Sequence, residues 1–413
     1  MRRIPELDGL RAIAILLVIG CHYAPIANSL GRWPAFGWVG VDLFFALSGY
    51  LITTILLGMR HKPQPYRTFY ARRFARIFPP YFAVIAFITA LSVGRHLDVL
   101  NLREVFKQVF FLEAFSPSRD LPLLASLLHP VRTIQQLPPL MTGAHHLHAA
   151  IPGLPPAMGA VPGIFWSLSI EEYFYVVWAP IALRFRRSGI VIAGICICLL
   201  SIFFRWQHPA VSSYFGMFTH FDGLIYGSFL ALLLEHWRKQ DLLQKQVALS
   251  LIGVAAVAVL AVVLYLIHPI AGMEVRESPL FLVFGLTALD IACAALVGVL
   301  VVKAESPWWL SRVLNSYPFQ YLGTISYTLY LVHIIAAWFI YEGLSRSLHI
   351  HHYGWLEVIA SFVLAVALAR ASSLRGKAGP ALEGPTVPLG ASSEGARPQL
   401  EGRASSNSRR RSP

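Results

Sequence analysis

The stretch "ELDGLRAIAILLVIGCHY", residues 6–23, is apolar enough to enter a membrane, yet it carries Arg11 and His22 inside its run. The two residues are eleven positions apart, and on a helix of 3.6 residues per turn the second returns to within about 20° of the first. At about 1.5 Å per residue they stand about 16 Å apart, with Arg11 near one membrane surface and His22 near the bilayer centre. Ionisable groups at that depth are costly and usually face an interior cavity, so this stripe is a candidate functional site. The structural alternative makes Arg11 an orientation anchor and His22 a hydrogen-bonded core residue. The run lacks a small-residue cleavage site, so it is expected to stay in the mature chain.

The rest of the chain has the same character. Of 413 residues, 56% are hydrophobic and only 13% charged, and the mean hydropathy is +0.59, far above the range of a soluble domain. The expected fold class is an all-α polytopic membrane protein with about ten transmembrane helices in one bundle. The expected spans centre on residues 11–27, 37–58, 77–94, 170–184, 189–205, 213–234, 246–268, 279–302, 319–343 and 355–370. Basic loops fall on one side: Arg2 and Arg3, the stretch from Arg60 to Arg76, "RFRR" at 184–187, "EHWRK" at 235–239, Lys303, and the tail after Arg370. By the positive-inside rule that side is the cytoplasm, which places both termini there, in a multi-pass protein of the inner (plasma) membrane.

Residues 104–115, "EVFKQVFFLEAF", are short and charged for a span and read as interfacial or re-entrant. The segment from 95 to about 165 then forms one long external loop carrying "HHLH" at 145–148. With no acidic or cysteine partner nearby, that cluster reads as solvated loop. The four cysteines lie in apolar runs without metal or disulfide spacing, so neither metal nor prosthetic group is expected. Residues 1–370 form the expected membrane domain. Residues 371–413, rich in Gly, Ser, Pro and Arg, read as a low-complexity tail that cannot bury enough apolar surface to fold alone. That tail holds +4 of the +13 formal charge. The basic excess is mainly a topology signal, and nucleic acid is not an expected partner.

Further polar groups recur within the apolar runs. Asp42 lies in "GVDLFFALSGYLI" at 40–52, where Gly40 and Gly49 permit close helix approach. In "YARRFARIFPPY" at 70–81, Arg72, Arg73 and Arg76 crowd the cytoplasmic start of the third span, and guanidinium groups match phosphate oxygens bidentately. "FWSLSIEEYFY" at 165–175 sets the carboxylates Glu171 and Glu172 at the external start of another span. "THFDGLIYG" at 219–227 contributes His220 and Asp222. "LGTISYTLYLVH" at 322–333 places Ser326, Tyr330 and His333 on one helical face. Each of these has a packing explanation, but their accumulation in one bundle indicates a polar cavity.

The ordered set "LDGLRAIAILLVIGCH", "GVDLFFALSGYLI", "RRFARIFPPY", "WSLSIEE", "FDGLIYG" and "LGTISYTLYLVH" resembles the membrane acyltransferase 3 family from about residue 4 to 370. The resemblance implies transfer of an acyl group, commonly acetyl from acetyl-CoA, to a hydroxyl of a carbohydrate-containing acceptor such as cell-envelope polysaccharide or a lipid-linked glycan. It implies that Arg11 and His22 match the family's essential pair and that Arg72, Arg73 and Arg76 match its basic motif, the expected site for acyl-CoA. Glu171, Asp42 and Asp222 are candidates to orient His22 or bind the acceptor, with Glu172, Ser326, Tyr330 and His333 in support. A neutral imidazole can accept the proton of an attacking hydroxyl. A covalent acyl-His relay is the other route.

Four departures stand out. Tyr173 replaces a usual Gln after the glutamate pair, and His220 replaces a usual Arg two residues before Asp222, which leaves Asp222 without its expected cationic partner. The insertion at about 116–163 is long, and the family's closing element gives way to "ALARASS". A transporter would also line its path with buried Arg, His, Asp and Glu, but no internal symmetry is evident. An inactive scaffold is the third reading.

Overall fold

The computed structural model describes residues 4–27, 33–94, 102–114, 164–207, 213–239, 241–267, 278–304, 308–348 and 355–376. Among these residues there is helix and no strand. The helices are α1 (Pro5–Ala27), α2 (Val39–Met59), α3 (Pro65–Gly94), α4 (Leu102–Val109), α5 (Phe165–Arg184) and α6 (Arg187–Gln207). They continue with α7 (Asp222–His236), α8 (Leu242–Ile267), α9 (Leu286–Lys303), α10 (Trp309–Leu314), α11 (Tyr317–Leu348) and α12 (Trp355–Gly376). A 3₁₀ segment (Trp33–Trp38) leads into α2, and a π-helical turn (Phe281–Gly285) leads into α9. An all-helical architecture is the physical consequence of apolar surroundings, because a helix satisfies its own backbone donors and acceptors.

Among the described residues, six stretches are long and apolar enough to cross a membrane: Phe36–Met59, Pro65–Leu91, Arg187–Gln207, Leu242–Leu266, Phe281–Lys303 and Tyr317–Ile340. The protein is therefore a multi-pass membrane protein, and each of the six matches an expected span. The expected count of about ten is not reached by that measure. Helices α1, α5 and α12 run 23, 20 and 22 residues, but buried charges interrupt the apolar character of α1. The expected span 213–234 is corrected: α7 begins at Asp222 and has 15 residues. Residues 213–221 form irregular turns that fold polar groups against α2. At the chain's end, α12 continues past residue 370 to Gly376. The remainder of the expected tail, most of the expected external loop with its "HHLH", and Arg2 and Arg3 lie outside the described residues.

Two helix pairs position the polar groups. Helix α2 packs along α7, with the Gly49 Cα lying so close to the Leu224 carbonyl that a side chain there would overlap it. Helix α1 packs along α11, where Gly323 meets the Asp8 carbonyl equally closely. Small residues at such crossings let backbones approach, which is a main source of helix association in lipid. The α1–α11 crossing places Asp8 beside Gly323 and His22 beside His333, so the two helices run side by side in the same direction. Tyr23 closes the seam by donating from its hydroxyl to the His333 carbonyl at 2.7 Å.

Replacing Gly323 with Val forces α11 away from α1. The expected loss is about 1–3 kcal/mol, as for other overpacked contacts, read as a lowered melting temperature of the detergent-purified protein. An unchanged melting temperature would show that the crossing adapts.

Candidate active site

The helices bring the sequence's scattered polar residues into three clusters. In the first, His22 and His333 face each other with Nδ1 of His22 and Nε2 of His333 at 3.2 Å and ring centroids at 5.0 Å. Their tautomers follow from neighbouring carbonyls. His333 Nδ1 is 2.7 Å from the Tyr330 carbonyl, which can only accept, so Nδ1 carries the hydrogen and Nε2 the lone pair. His22 Nδ1 is 2.9 Å from the Val18 carbonyl, so it too carries a hydrogen, shared between that carbonyl and His333 Nε2. In the neutral ring, His22 Nε2 is then the basic nitrogen.

A second cluster gathers the arginines and glutamates. Arg11 pairs with Asp8 at 2.8 Å one turn away. Arg76 lies within electrostatic range of Arg11, Arg73 and Glu171, and Glu172 within range of Glu171 and Arg73. The Arg73 guanidinium sits over the Tyr175 ring, 5.3 Å from its centroid. Glu171 accepts from Ser48 at 2.6 Å and from the Tyr175 hydroxyl. The expected separation of an external glutamate pair from a cytoplasmic arginine group is thus corrected. The carboxylates lie inside α5, beyond its first turn, where they reach the arginines of α3. Arg72 and Arg76 remain exposed, with unspent donors suited to an anion.

Tyr330 and Tyr327 on α11 join these two clusters. The Tyr330 hydroxyl donates to the Ile164 carbonyl at 2.8 Å and accepts from Ser167 at 2.6 Å. Tyr327 lies within range of both glutamates and Arg76. Ser326 instead bonds the Gly323 carbonyl of its own helix at 2.9 Å, so of the three residues on that face it is the one with a local role.

The third cluster holds the remaining acids. His220 Nε2 is 2.8 Å from Asp42 Oδ1, and both side chains are fully buried. Asp222 does have a cationic partner, contrary to the sequence expectation: Arg205, at the end of α6, contacts its two oxygens at 2.9 and 2.7 Å. Arg205 also donates to the Thr219 carbonyl and to Thr287. Asp290 of α9 lies nearby, fully buried. Sequence reasoning passed over Arg205 and Asp290. Both carried the same signal as Arg11 and His22, a lone ionisable residue in an apolar run. Arg205 read as the boundary of a span, and Asp290 has no polar neighbour in sequence to draw attention to it.

An apolar helical bundle that holds a histidine pair and a group of arginines and carboxylates defines a class of integral membrane protein with polar groups enclosed between its helices. The chain belongs to the membrane acyltransferase 3 family: the family model, described as an acyltransferase domain, matches residues 4–372. Similar proteins include the peptidoglycan O-acetyltransferase OatA of Listeria monocytogenes, 27% identical over 346 residues, covering 80% of this chain and 49% of that protein. Another is YrhL of Bacillus subtilis, provisionally named a peptidoglycan O-acetyltransferase, 27% identical over 350 residues and covering 80% of this chain and 48% of that protein. The chain thus spans about half the length of these curated relatives. No solved structure matches it.

Arg205→Ala leaves Asp222 buried and uncompensated. The expected loss is about 3–5 kcal/mol, seen as a lower melting temperature or lost expression. Arg205→Lys restores only part of it, since an ammonium cannot reproduce the two-point contact.

Proposed function

We propose that the protein is an integral membrane O-acyltransferase. It moves an acyl group, acetyl in the simplest case, from acyl-CoA to a hydroxyl of a carbohydrate acceptor of the peptidoglycan or cell-envelope type. The observation that carries this reading is the His22–His333 pair, because its carbonyl-fixed tautomers leave His22 Nε2 as the base. Family membership and the names of the relatives support the reaction type.

In this reading the acceptor hydroxyl attacks the thioester carbonyl while its proton passes to His22 Nε2. The C–S bond then breaks, and the CoA thiolate leaves with the proton returned from the imidazolium. His333 is a positioning residue, whose Nε2 lone pair holds His22 Nδ1–H and stabilises the positive ring that forms. Arg72, Arg73 and Arg76, with Arg11 beside them, bind the CoA phosphates by charge-assisted hydrogen bonds. Glu171, held by Ser48 and Tyr175, offsets the mutual repulsion of the guanidinium groups and lines the path toward Tyr330. Acyl-CoA is a cytosolic molecule, so this assignment goes with an arginine cluster at the cytoplasmic face of the plasma membrane and both termini on that side. Residues 1–370 are the catalytic domain in this proposal.

Membranes containing the wild-type protein should move label from acetyl-CoA into a glycan fraction, and His22→Ala should lower the rate by about 10²–10⁴-fold, the range for a lost general base. Equal labelling by a well-folded His22→Ala protein would remove His22 from the chemistry. His333→Ala should lower kcat by about tenfold with little change in KM, the equivalent of one orienting hydrogen bond of about 1.4 kcal/mol. Arg76→Ala should act in the opposite sense and raise KM for acetyl-CoA. A reversed pattern would exchange the two assignments.

A further inference from the structure

The fully buried group Asp42, His220 and Asp290 has a charge problem that the acyl-transfer reading leaves unanswered. Arg205 and Asp222 neutralise each other through two hydrogen bonds. That leaves two carboxylates facing one imidazole, so even a protonated His220 would leave a buried negative charge without a partner. Isolated buried charge of that kind is strongly disfavoured. Both oxygens of Asp290 lack any hydrogen-bond partner although the residue is completely enclosed. A carboxyl that had simply taken up a proton would be expected to donate it to a neighbour.

The geometry fits a different solution. One ligand atom from each of Asp42, His220 and Asp290 lies within 4.8 Å of the others. Ligand atoms about 2.0–2.2 Å from a tetrahedral zinc stand about 3.3–3.6 Å apart, a spacing that these side chains reach by small rotations that open the 2.8 Å Asp42–His220 contact. His220 is held as a ligand would be: its Nδ1–H donates to the Tyr214 carbonyl at 2.7 Å, which leaves Nε2, now hydrogen-bonded to Asp42 Oδ1 at 2.8 Å, as the nitrogen that would bind a metal on giving up its hydrogen. A second-shell carbonyl fixing the tautomer in this way is the usual support of a metal-bound histidine. Asp42 has its own outer support from the Tyr214 hydroxyl at 3.2 Å. Trp166 stacks on the His220 ring with centroids at 5.7 Å, and Phe45 meets it edge-on at 5.2 Å, so the surroundings exclude water.

We propose that Asp42, His220 and Asp290 form a buried structural site for a divalent transition-metal ion of the zinc type. One imidazole nitrogen and two carboxylates suit such an ion. Magnesium and calcium require more oxygen ligands and bound water than this dry, nitrogen-containing pocket supplies. The ion would tie α9 to α2 and the irregular segment 213–221, which already share the Asp42–His220 and Asp42–Tyr214 hydrogen bonds. It would neutralise the surplus charge where the π-helical turn 281–285 enters α9.

The test uses the full chain purified in detergent through a histidine-free tag, incubated with Zn²⁺, freed of excess ion and analysed by mass spectrometry. Two variants accompany it: Asp290→Asn, which removes a ligand, and His220→Arg, which replaces a ligand with a fixed cation and so keeps the carboxylates compensated. The expected result is stoichiometric zinc in the wild type, its loss from each variant that folds, and a melting temperature that a chelator lowers in the wild type but not in His220→Arg. Substitution by Co²⁺ should give the wild type an absorption spectrum of a low-coordinate nitrogen and oxygen site. Wild-type protein that takes up no zinc, a folded variant that retains it in full, or a wild-type melting temperature unmoved by chelation would each overturn the proposal.

Discussion

Removing an ionisable side chain from water into an apolar helix bundle is unfavourable by several kcal/mol unless another element delivers a compensating group. Nearly every feature of this protein answers that constraint. Arg205 on α6 meets Asp222 at the start of α7, His22 on α1 meets His333 on α11, and Glu171 on α5 receives hydroxyls from α2 and from its own helix. Apart from the Tyr175 contact within α5, each joins separate elements, from the consecutive helices α6 and α7 to residues 311 apart in α1 and α11. The buried polar groups therefore specify which helices are neighbours, while the apolar surface specifies only that helices form.

That specification depends on close backbone approach. Side-chain pairs at about 3 Å form only where the helices carrying them are near enough, and the glycine crossings at Leu224 and Asp8 bring α2 to α7 and α1 to α11. The α1–α11 seam has a direct chemical consequence. It sets one imidazole to hold the other, and backbone carbonyls on each helix decide which nitrogen is basic. An imidazole with a defined tautomer and a fixed direction follows from helix packing.

Much of this was legible in the sequence. Periodicity and hydropathy identified the six long apolar spans among the described residues, and the stripe through Arg11 and His22 drew attention to α1. The motif around residues 322–333 placed His333 on a face with Tyr330, although nothing in that motif says that the face meets His22. Reading failed where a polar residue lacked polar neighbours along the chain. Asp290 and Arg205 sit alone in apolar runs, and the segment 213–221 was hydrophobic enough to pass for the start of a span.

The sequence by itself determined the helical membrane class, the positions of most long helices and the inventory of chemically capable residues. These follow from local properties: apolar run length, helical period and side-chain type. Only the tertiary structure decided the pairings, namely His22 with His333, Asp222 with Arg205, Asp42 with His220, and Glu171 with Ser48. The physical reason is that a buried charge or imidazole takes its meaning from atoms about 3 Å away, and in a bundle those atoms come from other elements, 17 residues along the chain for Arg205 and Asp222 but 311 for His22 and His333.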